Sequence, residues 1–446
     1  MKELSQPQLL TLTSQALANE PAPLPLQTIQ DMVTDHLERQ AAYLQAVQEH
    51  GSPLYVLDLE ALRERATLFS GCFNQRMSTP IRVYYAVKSN NHPQVSKTML
   101  ACGLGLDVSS GQELKLAIDL GAEDIIFSGP GKTAEELALA VEQAHYVTVL
   151  IDSFSELERL QLQAAKRGVT IKAGVRLTAA SHGSWRKFGI PLSALKDFLS
   201  SAQTCSHVQM QGLQFHTSWN LNPQAQVDFI STLGTTLRQL PPAWISQCRF
   251  IDIGGGYWPA AGEWLQAAGT PGGTIKKLLA PDSLDLKTRY CLPGTPVEQF
   301  AEALSQAVTK HLLSLEGMTD LTICLEPGRW LCHDGMHLLM TVVDRKAADL
   351  AITDAGTNAV GWERFETDYF PVINLTRPAL VEQACEIHGC LCTPHDLWGY
   401  SFWGEELRPG DLLLIPSQGA YTYSLRQDFI KPLPTTALLE KAGVEI

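Results

Sequence analysis

The stretch IRVYYAVKSNN (residues 81–91) joins an apolar, β-prone run to a lysine and three polar residues. Such a run predicts a buried strand whose last side chains reach the edge of a sheet, where a loop begins. Lys88 therefore ends a strand, either as a solvated side chain or as an amine placed for chemistry.

Runs of the same kind recur along the chain and alternate with segments of helical periodicity, such as GQELKLAIDLGA and TAEELALAVEQA. Alternation of strands and helices predicts a parallel sheet with helical crossovers, and so many units predict a closed, TIM-type (β/α)8 barrel. Nine runs compete for eight places, so one of them lies outside the barrel proper or serves as an extra strand. The runs are PLYVLD, IRVYYAVK, GLGLDVSS, DIIFSG, YVTVLIDS, IKAGVRL, MQGLQFH, FIDIGGGY and LTICLEPGR.

The pattern changes in two places. A long connection between Trp258 and Leu321 contains GTPGGT and CLPGTP, which predicts an insertion near the mouth of the barrel. After Arg329, the runs HLLMTVVDRK, DLAITDAG, ACEIHGCLC and DLLLIPSQGAYT predict a mostly antiparallel β domain. We expect an N-terminal segment (1–52) on the β domain or at a dimer interface, a barrel (53–332) and a β domain (333–446).

Composition limits the function classes. The chain has 446 residues, of which 45% are hydrophobic, and a formal net charge of -13. An acidic balance argues against nucleic-acid partners, because phosphate binding needs clustered basic residues, and it favours small-molecule ligands. No membrane span or signal peptide is recognisable, so a cytoplasmic location is expected. The ten cysteines show no disulfide framework and are interpreted as mostly reduced thiols.

Catalytic groups of barrel enzymes gather at the carboxyl ends of the strands. Here those positions supply an amine, an aromatic ring, glycine amides and carboxylates, and no pair of them forms a convincing metal site. This set suits a flat, anionic cofactor that carries an aldehyde. The candidates are Lys88, Asp107 with Ser109 and Ser110, His216 with Ser218, Gly254–Gly256, and Glu326 with Arg329.

Pyridoxal phosphate requires a lysine for a Schiff base, and Lys88 fits that role. Its pyridine nitrogen stays protonated beside a carboxylate, for which Glu326 is the candidate. The ring needs a flat group on one face, which His216 supplies.

The phosphate of the cofactor needs unhindered backbone N–H groups. The triplet GGG at Gly254 offers them directly after a strand, and Ser218 and Tyr421 add hydroxyl groups. Each residue also has an ordinary structural interpretation when it is taken alone, such as a solvated lysine, a core histidine or glycines of a turn. Their shared placement at strand ends favours the cofactor.

With these residues in place, the sequence resembles the fold-type III pyridoxal-phosphate decarboxylases, which include the diaminopimelate, ornithine and arginine decarboxylases. The resemblance implies an alanine racemase-like barrel with a β domain, Lys88 as the Schiff-base lysine, His216 on the ring and Glu326 at the pyridine nitrogen. It also implies that Asp107 belongs to the cofactor site and that Ser218, Gly255, Gly256, Gly328, Arg329 and Tyr421 hold the phosphate or lie near it. The matching stretches are YAVKSN, GLDVSSGQEL, FSGPGK, KFGI, GLQFHTS, DIGGGY, EPGR, DAGTN, CTPHD and GAYT.

In this family a cysteine from the partner subunit protonates the carbanion that decarboxylation leaves, and the matching position is Cys392. The resemblance therefore implies a homodimer with shared active sites. An alternative interpretation of this region is a zinc cluster formed by His388, Cys390, Cys392 and His395.

The sequence departs from the family where the substrate binds. An acidic residue that follows the cysteine in the diaminopimelate and ornithine enzymes pairs with the distal ammonium, and here Thr393 follows instead. Asp396 is the one compensating carboxylate, while Arg364 lies near the expected position of a substrate-binding arginine. Arg329 and Tyr421 are further candidates for binding the substrate.

We therefore expect a decarboxylase of a modified or conjugated amino acid, such as a citrate–diamino acid conjugate in siderophore biosynthesis. Free meso-diaminopimelate, ornithine or lysine is the alternative substrate. A racemase would pair the pyridine nitrogen with a cation, and Glu326 argues against it. A non-catalytic, pyridoxal-phosphate-binding regulatory protein is the alternative from another class.

Overall fold

The computed structural model describes residues 4–178, 183–318, 320–361 and 365–439. The chain forms two compact units, each assembled from separate segments. The first unit contains residues 1–59, 261–293 and 333–446, and the second contains residues 60–260 and 294–332. The expected contiguous ranges differ from this division at two places, because residues 53–59 and 261–293 group with the β domain.

The second unit is built on a closed barrel of eight parallel strands, which confirms the predicted fold class. Its strands, in order around the barrel, are Thr322–Leu325, Ile81–Ala86, Gly105–Val108, Ile125–Phe127, Val147–Ile151, Ile171–Leu177, Val208–Phe215 and Phe250–Asp252. Its helices are Leu59–Arg76, Pro93–Ala101, Gly111–Asp119, Ala134–Glu142, Phe154–Arg167, Leu195–Ala202, Gln224–Leu237, Pro242–Ile245, Val297–Val308 and Arg329–Cys332.

Local sequence signals start several of these helices. Ser110, Thr133 and Ser153 precede helices, and each side chain accepts a hydrogen bond from the backbone N–H three residues later. Such caps satisfy a donor that the first helical turn leaves unpaired. A serine or threonine after a buried strand thus fixes the point at which the loop turns into the crossover helix.

Glycines shape the interior of the barrel. Gly174 and Gly212 lie on neighbouring strands, and a Cβ atom at Gly174 would lie 2.8 Å from the ring of Phe250. A Cβ atom at Gly212 would meet the same ring. The two glycines therefore leave the space that one large aromatic side chain fills, which is a requirement of close packing.

The first unit contains an eight-stranded sheet with mostly antiparallel pairing. The run PLYVLD forms its strand Leu54–Leu57, so this is the ninth run, outside the barrel. Three of the remaining strands were not predicted, namely Leu397–Trp403, Ile373–Asn374 and Thr435–Leu438. The strands in spatial order are Leu350–Thr353, Glu382–His388, Leu397–Trp403, Ile373–Asn374, Leu412–Ile415, Met336–Ala347, Leu54–Leu57 and Thr435–Leu438.

The N-terminal segment and the insertion complete this unit. Ile29, Val33 and Tyr43 of the N-terminal helices share a buried cluster with Leu339 and Leu414 of the sheet. Part of the insertion joins a separate antiparallel sheet of Ala22–Pro23, Arg289–Leu292 and Glu263–Gln266. The helices of the unit are Gln6–Ala18, Leu26–Leu37, Gln40–His50 and Pro271–Leu279. Within the described ranges of both units, no helix has the length and apolar character needed to cross a membrane.

Candidate active site

Lys88 lies in a single 3-10 turn, Val87–Ser89, that follows the barrel strand Ile81–Ala86. Its Nζ atom donates to Oδ2 of Asp107 at 2.6 Å, and the Lys88 side chain is 33% exposed while that of Asp107 is fully buried. Ser128, after the next strand, donates its hydroxyl to the other carboxylate oxygen of Asp107. Three consecutive strand ends therefore hold one amine in a fixed position that solvent still reaches.

His216 follows the strand Val208–Phe215 and presents a neutral ring. Desolvation lowers the pKa of this imidazole, against the opposing effect of Glu326. The backbone N–H of Gly255 lies 3.1 Å from Nδ1, and this contact fixes the orientation of the ring. An uncharged, flat ring held through Nδ1 has a face available for stacking.

Glu326 is the ionised carboxylate of the barrel centre. It is 2% exposed, and its Oε2 atom lies 3.6 Å from Nδ1 of His216. Burial alone would raise the pKa of Glu326, but the interactions with His216 and the positive charge of Lys88 lower it to about 2. The carboxylate is therefore charged throughout the neutral pH range.

Asp252 adjoins Glu326 and takes the opposite protonation state. Burial, together with the charge of Glu326, raises the pKa of Asp252 well above its usual range. Its Oδ1 atom accepts the backbone N–H of Gly254 at 2.8 Å. The pair thus keeps the negative charge on Glu326, because two adjacent carboxyl groups in an apolar site do not both ionise.

The glycine triplet forms a tight loop without side chains. Gly254 and Gly256 have φ angles of 70° and 85°, in the region that glycine adopts readily. Asn220 ties the loop in place, since its side chain donates to the carbonyl of Gly255 at 2.9 Å and its backbone N–H donates to that of Gly256 at 3.0 Å. A Cβ atom at Gly256 would lie 3.2 Å from Cα of Ser218, so an amide and a hydroxyl-bearing residue are neighbours here.

The EPGR turn packs beside Lys88. A Cβ atom at Gly328 would lie 2.9 Å from Cβ of Ser89, which makes glycine necessary for this approach. Arg329 starts the short helix Arg329–Cys332, and its Cζ atom lies 4.3 Å from the ring centroid of Trp258. The turn therefore brings an arginine to the same end of the barrel as the glycine loop.

The remaining candidates belong to the first unit. Cys392 is exposed, Thr393 is partly buried, and Tyr421 has a φ angle of 62°, a strained value for a non-glycine residue. Arg364 lies outside the described residues.

Asp396 is buried, and both of its oxygens are engaged inside the β domain. Oδ1 accepts the backbone N–H and the hydroxyl of Thr357 at 2.6 and 2.9 Å, and Oδ2 accepts the N–H of Leu391 at 2.6 Å. A carboxylate with three such donors connects the DAGTN turn to the loop of Cys392, and this geometry favours a structural role over substrate binding.

The four residues of the zinc alternative do not come together. Cys390 donates its Sγ to the carbonyl of Asp354 at 3.1 Å, and His395 contacts Glu366 at 2.9 Å through Nδ1. Across the part of the chain that the structure describes, no three His, Cys, Asp or Glu side chains are placed to hold a metal ion.

Sequence reasoning missed three residues of this site. Ser128 and Asp252 both stand at strand ends, so the strand-end rule was sufficient to find them. Arg176 lies inside the strand Ile171–Leu177, where no sequence signal separates a functional arginine from a structural one. It is 8% exposed and donates to the carbonyl of Ser128 at 3.1 Å.

The described residues fit pyridoxal phosphate by their chemistry. The amine of Lys88 is reachable and held by Asp107, the ring of His216 is flat and neutral, and Glu326 is an ionised, buried carboxylate. The glycine loop offers amides that no side chain covers, and a Cβ atom at Gly255 would collide with the carbonyl oxygen of Glu326.

Comparisons with known proteins agree with this fit. Residues 59–333 match the family model described as pyridoxal-dependent decarboxylase, pyridoxal binding domain. Diaminopimelate decarboxylase of Methanothermobacter thermautotrophicus is 26% identical over 418 residues, which cover 90% of this chain and 90% of the relative. L-glutamyl-[BtrI acyl-carrier protein] decarboxylase of Niallia circulans is 26% identical over 373 residues, which cover 78% of this chain and 80% of the relative.

Solved structures show the same fold. Diaminopimelate decarboxylase from Helicobacter pylori, complexed with L-lysine, has a TM-score of 0.70 at 22% identity and covers 89% of this chain and 94% of its own. Lysine/ornithine decarboxylase from Vibrio vulnificus, complexed with putrescine, has a TM-score of 0.69 at 20% identity and covers 90% of this chain and 98% of its own. At these identities the likeness establishes the architecture.

Proposed function

We propose, from the premise that this chain belongs to the pyridoxal-dependent decarboxylases, that its substrate is an amino acid conjugated to an acidic group and not a free diamino acid. The relatives that it matches are decarboxylases by name, and the chain is a pyridoxal-phosphate-dependent carboxy-lyase. When bound, pyridoxal phosphate supplies the sink for the electron pair that remains after a carboxylate leaves as carbon dioxide.

Three side chains of the barrel would hold the ring of the cofactor. The amine of Lys88, oriented by Asp107 at 2.6 Å, would hold its aldehyde carbon. The charged carboxylate of Glu326 would keep the pyridine nitrogen protonated, because an adjacent negative charge favours the cationic form. The neutral ring of His216 would cover one face without placing a competing positive charge there.

The phosphate would lie against the glycine loop. The amides of Gly255 and Gly256, next to Ser218, are open to an anion because no side chain projects there. Gly328 and Arg329 would approach it from the EPGR turn, and Tyr421 would add a hydroxyl.

Cys392 would return a proton to the substrate carbon. Its side chain is exposed, and Asp396 and Cys390 tie its loop to the DAGTN turn. A held loop with an exposed thiol suits a group that acts in the site of a partner subunit, as the family resemblance implies. We therefore propose a homodimer with shared active sites.

The state of Asp396 is the single observation that carries the substrate proposal. Thr393 occupies the position at which the related diamino acid enzymes place an acidic residue, and a hydroxyl cannot neutralise a buried ammonium. Asp396 was the compensating candidate, but its oxygens accept three hydrogen bonds and are buried. A substrate whose distal end is not a free ammonium avoids this mismatch.

The relatives support both substrate classes to different degrees. The Niallia circulans relative is named for a glutamyl group on an acyl-carrier protein, which is a conjugated substrate. Several other relatives are named diaminopimelate decarboxylase, and this observation favours a free diamino acid as the second candidate.

Carbon dioxide release by the holoenzyme distinguishes the two candidates. The panel contains free meso-diaminopimelate, ornithine and lysine. It also contains the conjugate of each of these amino acids with citrate, joined through the distal amine. We expect at least tenfold higher kcat/KM for a citrate conjugate than for its free parent. Equal or greater kcat/KM with a free diamino acid would contradict the proposal.

A further inference from the structure

A cavity of about 170 Å³ adjoins His216 at the mouth of the barrel. Its lining includes Arg176, Trp185, Phe188, Thr217 and Ser218. Of the residues proposed to hold the cofactor, only His216 and Ser218 border it, whereas Lys88, Asp107 and Glu326 do not. The cavity is therefore adjacent to the cofactor residues and leaves room for a further group.

Two cations flank the wall of this cavity. The Cζ atom of Arg176 lies 4.5 Å, and the Nζ atom of Lys187 lies 4.8 Å, from the ring centroid of Phe188. Arg176 is 8% exposed and directs one nitrogen to the carbonyl of Ser128. Among the described residues that line the cavity, none is acidic.

This local charge opposes that of the whole chain. The protein has 47 acidic and 34 basic residues, so its average field repels anions. A cavity lined by an arginine and by no carboxylate, with a lysine against the Phe188 ring of its wall, instead attracts them. The exposed ring of Trp185 and the partly buried ring of Phe188 add flat apolar surface beside the charges, with centroids 5.6 Å apart.

We propose that this cavity, together with Lys187 beside the Phe188 ring of its wall, is the subsite for the carboxylate-bearing distal part of the substrate. The inference rests on the proposed function and assigns the anionic end of the proposed substrate to this cavity. Carboxylates of the conjugate pair with Arg176 and Lys187, while its carbon chain lies against Trp185 and Phe188. The distal ammonium of a free diamino acid is repelled there by the positive charges of Arg176 and Lys187.

A charge reversal at Lys187 tests the assignment in the holoenzyme. The probes are a citrate-conjugated diamino acid and its free parent. We expect Lys187→Glu to lower kcat/KM for the conjugate at least tenfold, mainly through KM, and to leave that of the free amino acid unchanged or raised. The matched control is Lys172→Glu, because Lys172 is an exposed lysine at the opposite end of the strand that carries Arg176.

Direct binding separates this inference from the proposed function. Calorimetry measures the affinity of the holoenzyme for citrate, which does not depend on the substrate that the enzyme prefers. If the subsite exists, this affinity falls at least fivefold in Lys187→Glu and stays unchanged in Lys172→Glu. Turnover of the conjugate with equal citrate affinity in both variants would overturn the subsite and leave the proposed function intact.

The phosphate of the cofactor is the other anion that this cavity would attract. A titration of the apoenzyme with pyridoxal phosphate distinguishes the two. Unchanged cofactor affinity in Lys187→Glu supports the substrate subsite. A fall in cofactor affinity without a change in substrate preference would assign the cations to the phosphate and overturn the inference.

Discussion

Replacement of Glu326 by glutamine removes the negative charge that this residue carries at the centre of the barrel. The neighbours of Glu326 lower its pKa from 4.5 to about 2. This difference corresponds to about 3 kcal/mol in favour of the charged form, at roughly 1.4 kcal/mol for each tenfold change in a proton-binding constant. An amide gains none of this stabilisation and cannot hold a proton on the pyridine nitrogen. If that free energy is lost from the transition state, kcat falls about 100-fold.

Single-turnover release of carbon dioxide measures this loss without interference from product release. The control is Glu326→Asp, which keeps the charge and shortens the side chain, and we expect it to retain more activity than Glu326→Gln. The absorbance of bound cofactor in both variants separates loss of the cofactor from loss of chemistry. A Glu326→Gln holoenzyme that retains a kcat within about threefold of the wild type would refute the electrostatic role.

Three further predictions concern other parts of the molecule. Burial lowers the pKa of His36 from 6.5 to about 4, so the folded state favours the neutral ring, and stability is full above pH 6.5 and falls toward pH 4. By pH 5 we expect the free energy of unfolding to fall by about 2 kcal/mol. Urea unfolding should show a shallower pH dependence of this free energy in His36→Gln than in the wild type. The control is His50→Gln, at an exposed histidine, which should behave as the wild type does. Gly255→Ala should weaken cofactor binding at least tenfold, because the added Cβ meets the carbonyl oxygen of Glu326, whereas Gly71→Ala, with nothing within 4 Å, should bind normally in the same absorbance titration. Mixed Lys88→Ala and Cys392→Ala proteins should recover roughly a quarter of wild-type activity if subunits share sites, and no recovery after verified subunit exchange would contradict sharing.

Much of the site was predictable because catalytic groups of barrel enzymes gather at the carboxyl ends of the strands. Lys88, His216 and Glu326 each follow a barrel strand within two residues, and parallel strands place their carboxyl ends on one side of the sheet. The alternation of strands and helices is visible in local sequence patterns. The order of the strands around the barrel therefore follows from the sequence.

Pairings between distant segments were not predictable in the same way. The strand Leu54–Leu57 pairs with Met336–Ala347 and Thr435–Leu438, hundreds of residues later in the chain. Likewise Ala22–Pro23 pairs with Arg289–Leu292, which draws the insertion into the first unit. Such contacts depend on packing across the fold, and no local propensity records them.

The same limit applied to Asp396. From sequence it was a carboxylate close to the expected substrate ammonium, but the structure shows both oxygens occupied by Thr357 and Leu391. Hydrogen-bond donors on another loop decide whether a carboxylate is available, and their positions are known only after folding.

The attachment of the cofactor to Lys88 is the central claim, and chemical trapping tests it most directly. Borohydride reduction of the holoenzyme fixes the cofactor to the amine that holds it, and peptide mass spectrometry then identifies that residue. We predict that the pyridoxyl group is found on Lys88 and is absent from the reduced Lys88→Ala protein. Attachment at another lysine, or no stable attachment, would contradict the proposed site.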